Sequence, residues 1–264
     1  MNKTILYLNA QDPTGATGIF QDLRMTHNHK LYSCGIITAL YHQNTQNLIS
    51  IYQIPFEQIA QQIDCVLSDL KIHGIKISGI FDVSLARLIT ELFEDLKEKF
   101  KIPIIFDCHF FFQNEYALIP PNQMSSIVNV IEKISSLLIL NLKEAEVIIN
   151  SPVKDIVSMK NAAEEIAKNF KCKNILITGG DLEDKAIDIF YDGSKTNAYE
   201  SSKQPTENLL GLGDAFSSFI LCAIVKGLEL YQAIPQAKNY TRKTMNHNFP
   251  IGKGLHPINL NIPI

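Results

Sequence analysis

Ile102-Pro103-Ile104-Ile105-Phe106-Asp107 and Ser136-Leu137-Leu138-Ile139-Leu140-Asn141 decide the fold, because each is apolar at successive positions and ends on a polar side chain. A strand that is apolar at successive positions is buried on both faces, which a parallel sheet covered by helices provides. Similar runs occur at Thr4 to Asn9, Gly35 to Leu40, Ile72 to Ser78, Asn174 to Thr178 and Ala186 to Tyr191. Between them the apolar residues take a helical period. Phe56, Ile59, Ile63, Val66, Leu67 and Leu70 make one stripe, and Val83, Leu85, Leu88, Ile89, Leu92, Phe93 and Leu96 make another. Further helices are predicted over about Asn122 to Ser135 and Met159 to Phe170. This alternation predicts right-handed crossovers and a three-layer α/β/α architecture with a mostly parallel central sheet. No repeat or Pro/Gly/Ser-rich linker interrupts it, so a single domain over residues 1–264 is expected.

Composition narrows the function. With 24 Lys plus Arg against 27 Asp plus Glu, the net charge of -3 argues against nucleic-acid or anionic-membrane binding. No run approaches the roughly 20 apolar residues of a membrane helix. The opening MNKTILYLNAQDP is too short a run for a secretory leader, which predicts a cytoplasmic protein. Cys34, Cys65, Cys108, Cys172 and Cys222 are scattered, with no CxxC or HExxH, so neither a disulfide framework nor zinc is expected. Cys34, Cys65 and Cys222 read as core fillers, Cys108 as possible site lining, and His27 and His29 as solvent-facing.

Ligands of open α/β sheets bind beyond the carboxyl ends of the strands. Those ends carry Asn9 to Asp12, Gln43 and Asn44, Asp107, Asn141 to Glu144, and Thr178 to Asp181. Gly211-Leu212-Gly213-Asp214 precedes the apolar run AFSSFILCAIVKGL. Two glycines allow a tight bend and close ligand approach, and a following helix aims its free N–H groups at the same place. A carboxylate there can take a hydroxyl proton, although an Asp N-cap after a Gly turn fits equally well. Asn141 and Glu144, three apart at a strand-to-helix turn, suit either a Mg²⁺ shell or a capping box. No GxxxxGK[ST] and no strand-borne GxGxxG occurs, which excludes a P-loop and a dinucleotide-binding Rossmann motif.

Taken in order, six stretches resemble the hydroxymethylpyrimidine/phosphomethylpyrimidine kinases of the ribokinase superfamily. They are NAQDPTGATGIFQDLR, ITALYHQNTQ, HGIKISGI, LNLKEAEVI, ITGGDLED and GKGLHPIN, and they run nearly end to end. The resemblance implies a ribokinase-like fold and an ATP- and Mg²⁺-dependent kinase acting on a pyrimidine alcohol in thiamine biosynthesis. It implies that Asp214 is the base and that Gly211, Leu212 and Gly213 form the anion hole. Asp22 and Gln43 would hold the pyrimidine, with Gln11, Thr17 and Gly79 lining its pocket. Asn141 and Glu144 would stand at the phosphates and Mg²⁺, with Asp107 as a further metal-side acid. Thr178, Gly179, Gly180 and the segment Ala237 to Tyr240, Lys238 included, would flank the nucleotide. A homodimer is implied as well.

The departures are specific. The family usually has Cys where Asp214 stands, and this GxGD turn is closer to ribokinases and pyridoxal kinases, so a pyridoxal-type vitamin kinase is the alternative. Thr178 replaces a Lys, and Gln113-Asn114-Glu115 replaces a Lys-Ser-Gly flap, which weighs against a second phosphorylation of the monophosphate. Gly79 replaces a Met, implying an enlarged pocket. These losses also fit a non-catalytic pyrimidine- or nucleotide-binding relative.

Overall fold

The computed structural model describes residues 3–112, 116–170, 172–180, 182, 185–203, 208–247 and 250–264. The replaced flap residues Gln113, Asn114 and Glu115, and Asp181, lie outside them. The chain divides into two compact units, residues 1–79 with 204–264, and residues 80–203.

The first unit opens with β1 (Thr4–Gln11), α1 (Gly18–Asn28), β2 (Tyr32–Gln43), β3 (Leu48–Gln53), α2 (Phe56–Asp69) and β4 (Gly74–Ile77). Strands β4, β1 and β2 run parallel, and β3 returns antiparallel on β2. β1 is buried along nearly its whole length and β4 throughout, as apolar residues at successive positions require.

The second unit contains α3 (Val83–Glu98), β5 (Ile104–Asp107), the short pair β6 (Phe111–Phe112) and β7 (Tyr116–Ala117), α4 (Pro121–Ile131) and β8 (Leu137–Asn141). It continues with α5 (Leu142–Ile149), α6 (Ile156–Phe170), β9 (Ile175–Thr178), β10 (Lys185–Tyr191) and β11 (Thr196–Ser202). β5, β8 and β9 are parallel, while β10 and β11 add antiparallel. Asp82 starts α3 by accepting from the amides of Ser84 and Leu85 at 2.7 and 3.0 Å, satisfying donors that no helical carbonyl can reach.

The chain then returns to the first unit through β12 (Asn208–Leu210), α7 (Leu212–Val225), α8 (Leu230–Met245) and β13 (His256–Pro257). Helix α7 is apolar almost all round and accordingly buried on nearly every side, packed on α1, α8 and β4. No helix among the described residues is long and apolar enough to cross a membrane.

Two expectations fail in this unit. Cys65 is exposed and Cys34 half-buried, so only Cys222 of the three fills the core. His29 is buried, edge-on to Phe219 with ring centroids 4.6 Å apart, because α1 ends there against α7.

Candidate active site

The bend before α7 requires glycine. Gly211 has φ +83, and a Cβ on it would lie 2.0 Å from the Ala16 carbonyl oxygen. Gly213, in the first turn, is exposed and faces open space. Asp214 follows it, 7 % exposed. It does not cap the helix, since Gly211 is the N-cap and no side chain bonds there. Its carboxylate is held by tertiary partners instead. Oδ2 accepts from the Gly18 amide at 2.8 Å, and Oδ1 from Asn9 Nδ2 at 3.0 Å and Lys76 Nζ at 3.1 Å.

Lys76 is buried in the middle of β4, where an ammonium without partners would be very costly. It has two carboxylates, because its Nζ also lies 2.7 Å from Asp22 Oδ1. Asn9 Nδ2 reaches Asp22 Oδ2 at 2.8 Å, and Ser218 Oγ donates to Asp22 Oδ1 at 2.6 Å. Burial pushes the Asp22 carboxyl up to about 7, and Asp214's charge adds to the rise, against the opposing pull of Lys76 and Asn9. Asp22 is fully buried and belongs to the same cluster as Asp214, with both of its oxygens engaged.

Gly79 has φ +59, and a Cβ there would lie 2.8 Å from the Ala10 amide nitrogen and 3.0 Å from Asn9 Oδ1, so the chain makes a close backbone joint at this point. The loop after β1 is organised by Asp12, which accepts from the amides of Thr14 and Thr17 at 2.8 and 2.9 Å. Thr17 and Gln11 are half-buried at its two ends. Gln43 Nε2 donates to Thr17 Oγ1 at 3.4 Å, while Gln43 Oε1 is buried with no partner among the described residues. On α8, Ala237 and Tyr240 are buried and Lys238 is half-buried.

In the second unit, β8 delivers Asn141 to the start of α5. Asn141 Oδ1 accepts from the Glu144 amide at 2.8 Å and Glu144 Oε2 from the Asn141 amide at 2.9 Å, a complete capping box. Glu144 Oε1 also accepts from the Phe110 amide at 2.9 Å. Burial raises this carboxyl to about 8, although both amides pull it down. Each oxygen of Glu144 thus holds a backbone amide. Asp107, at the end of β5, is half-buried. Among the described residues no three His, Cys, Asp or Glu side chains gather as a metal cage. Thr178 is half-buried, Gly179 packs so that a Cβ would lie 2.1 Å from the Ile187 carbonyl oxygen, and Gly180 faces open space.

Residues 12–259 match the phosphomethylpyrimidine kinase family model. The chain belongs to that family. A hydroxymethylpyrimidine/phosphomethylpyrimidine kinase of Aquifex aeolicus is 28% identical over 244 residues, 92% of this chain and 94% of that one. The ADP complex of Bacillus subtilis pyridoxal kinase superposes with TM-score 0.87 at 22% identity, covering 98% of this chain and 97% of that one. The phosphomethylpyrimidine kinase of Clostridium difficile gives TM-score 0.78 at 23% identity, covering 92% and 99%. These likenesses give the fold, the mostly parallel α/β arrangement of the ribokinase-like kinases.

This phosphomethylpyrimidine kinase family member is thus an enzyme of the kinase class. Sequence reasoning missed three residues of its Asp214 cluster, namely Lys76, Asn9 as a bridge, and Ser218. One signal was available. A lysine inside the otherwise apolar GIKI strand must be buried, and a buried ammonium must have acids beside it.

Proposed function

We propose that this kinase transfers the γ-phosphoryl group of ATP to the hydroxymethyl group of 4-amino-5-hydroxymethyl-2-methylpyrimidine, in thiamine biosynthesis. The observation that carries the reading is Asp214, fixed by three donors in the first turn of α7 beside a glycine bend. The hydroxyl oxygen bonds to the γ-phosphorus, the bond to the β,γ-bridging oxygen breaks, and ADP leaves. Asp214 receives the hydroxyl proton. The amides around Gly211, Leu212 and Gly213, at the positive end of the helix, meet the charge on the transferred group. Gln43, with its unpartnered carbonyl oxygen, accepts from the ring's amino group, and Gln11 and Thr17 border it.

By the family resemblance, Asn141 stands at the ATP phosphates, and Thr178, Gly179, Gly180 and Lys238 flank the nucleotide. Mg²⁺ in kinases is held by one or two carboxylates, water and phosphate oxygens, so the half-buried Asp107 suffices as its protein acid. When bound, the ion neutralises phosphate charge. Glu144 keeps the backbone of Phe110 and Asn141 in place beside it.

Asp214 in place of the family's Cys also favours a second reading, a pyridoxal-type alcohol as acceptor. Purified protein with ATP and Mg²⁺ is assayed for ADP and phosphoester with each alcohol. The pyrimidine is the better substrate, and equal or faster turnover of pyridoxal overturns the assignment. Asp214→Asn lowers kcat by about 10²–10⁴-fold while ATP binding, read by calorimetry, is retained.

A further inference from the structure

Two carboxylates and one ammonium share a single buried cluster in which every member touches another. Lys76 Nζ lies 2.7 Å from Asp22 and 3.1 Å from Asp214, and Asn9 Nδ2 spans the same two acids at 2.8 and 3.0 Å. We propose that Asp22 and Lys76 are positioning residues that act through Asp214, so that the hydroxyl proton is received by the three residues as one unit. The inference rests on Asp214 being the proton acceptor.

The charge balance supports it. With both acids ionised and Lys76 protonated, the unit carries one net negative charge, and a single proton brings it to zero. When the alcohol's O–H bond breaks and its proton reaches Asp214, Lys76 and Asn9 remain on Asp22 and keep that carboxylate ionised. Two groups coupled this closely titrate as a pair. The other titratable groups facing the cluster do not compete. Tyr7 on β1 and Tyr41 on β2 are driven up by burial, Cys222 further along α7 is pushed up to about 12, and Asp12 acts on Tyr41.

The test is the pH profile of kcat/KM, whose acid limb reports the free enzyme's base. Asp22→Asn is nearly isosteric and removes a like charge, leaving Lys76 to Asp214 alone. Its acid limb moves to lower pH by about one unit. Adding Lys76→Met to Asp22→Asn removes the cation and moves the limb back up by at least about one unit. Circular dichroism verifies folding, and if the double variant does not fold, the single variant decides. An acid limb that stays at the wild-type pH in folded Asp22→Asn overturns the proposal. If Asp214→Asn turns over like wild type, the acceptor reading falls first. If Asp214→Asn is inactive and the Asp22→Asn limb does not move, only the present inference falls.

Discussion

At the residue scale, the two glycines of the GLGD turn are opposites, although the sequence writes them alike. Gly211 holds a left-handed φ of +83 against the Ala16 carbonyl, whereas Gly213 sits in the helix, where an added Cβ would meet nothing within 4 Å. Gly211→Ala therefore costs about 1–3 kcal/mol from backbone strain alone, with the collision added. Gly213→Ala raises stability by up to about 1 kcal/mol, since alanine replaces glycine inside a helix. Denaturant titration of both variants checks the pair of signs, and a similar loss in both contradicts the geometry. The site was legible to the same partial degree. Asp214 and the glycine bend stood out because they adjoin in sequence. The pairing of Asp22 with Lys76 was hidden because the two lie 54 positions apart, a distance that local spacing does not encode.

At the scale of elements, most of the sheet could be read from the chain. β1, β4, β5, β8 and β9 are buried on both faces and apolar at successive positions, so the sequence marks them, and β2 and β10 carry apolar runs long enough to be marked as well. β3 and β11 are not: both are antiparallel strands with no fully buried position, TNAYESS being mostly polar and LISIYQ short and interrupted by Ser50. The start of α5 shows how an element can absorb a residue that also looks like a ligand. Glu144 is buried with its carboxyl raised to about 8, so the folded chain holds that proton more tightly than the unfolded chain. Its contribution is present at low pH and is lost as pH rises toward 8. Glu144→Gln keeps a capping-box side chain but cannot titrate. Its stability deficit against wild type narrows by more than about 1 kcal/mol between pH 5 and pH 8, measured by chemical unfolding at each pH. A constant deficit argues against a titrating Glu144.

For the molecule as a whole, His29 has the reverse sign. Burial, with Lys226 nearby, lowers its imidazole to about 4, and neither ring nitrogen has a hydrogen-bond partner among the described residues. The unfolded chain takes up this proton first, so stability drains away as pH falls from about 6.5 to 4. His29→Phe keeps a ring against Phe219 and removes the titration. Its advantage over wild type is about 2 kcal/mol larger at pH 5 than at pH 8, and thermal melts across that range read it directly.

The chain's two-part first unit bears on how the protein is made. Residues 80–203 are continuous in the chain, whereas residues 1–79 form one unit with residues 204–264. Lys76 meets Asp214 across 138 positions, and Asp22 meets Ser218 across 196. During synthesis Asp22 and Lys76 emerge early, yet α7, which brings Asp214 and Ser218 to them, arrives much later. A ribosome that stalls before residue 204 releases a chain whose opening unit lacks α7 and leaves Lys76 without Asp214, a ready substrate for chaperones and proteases.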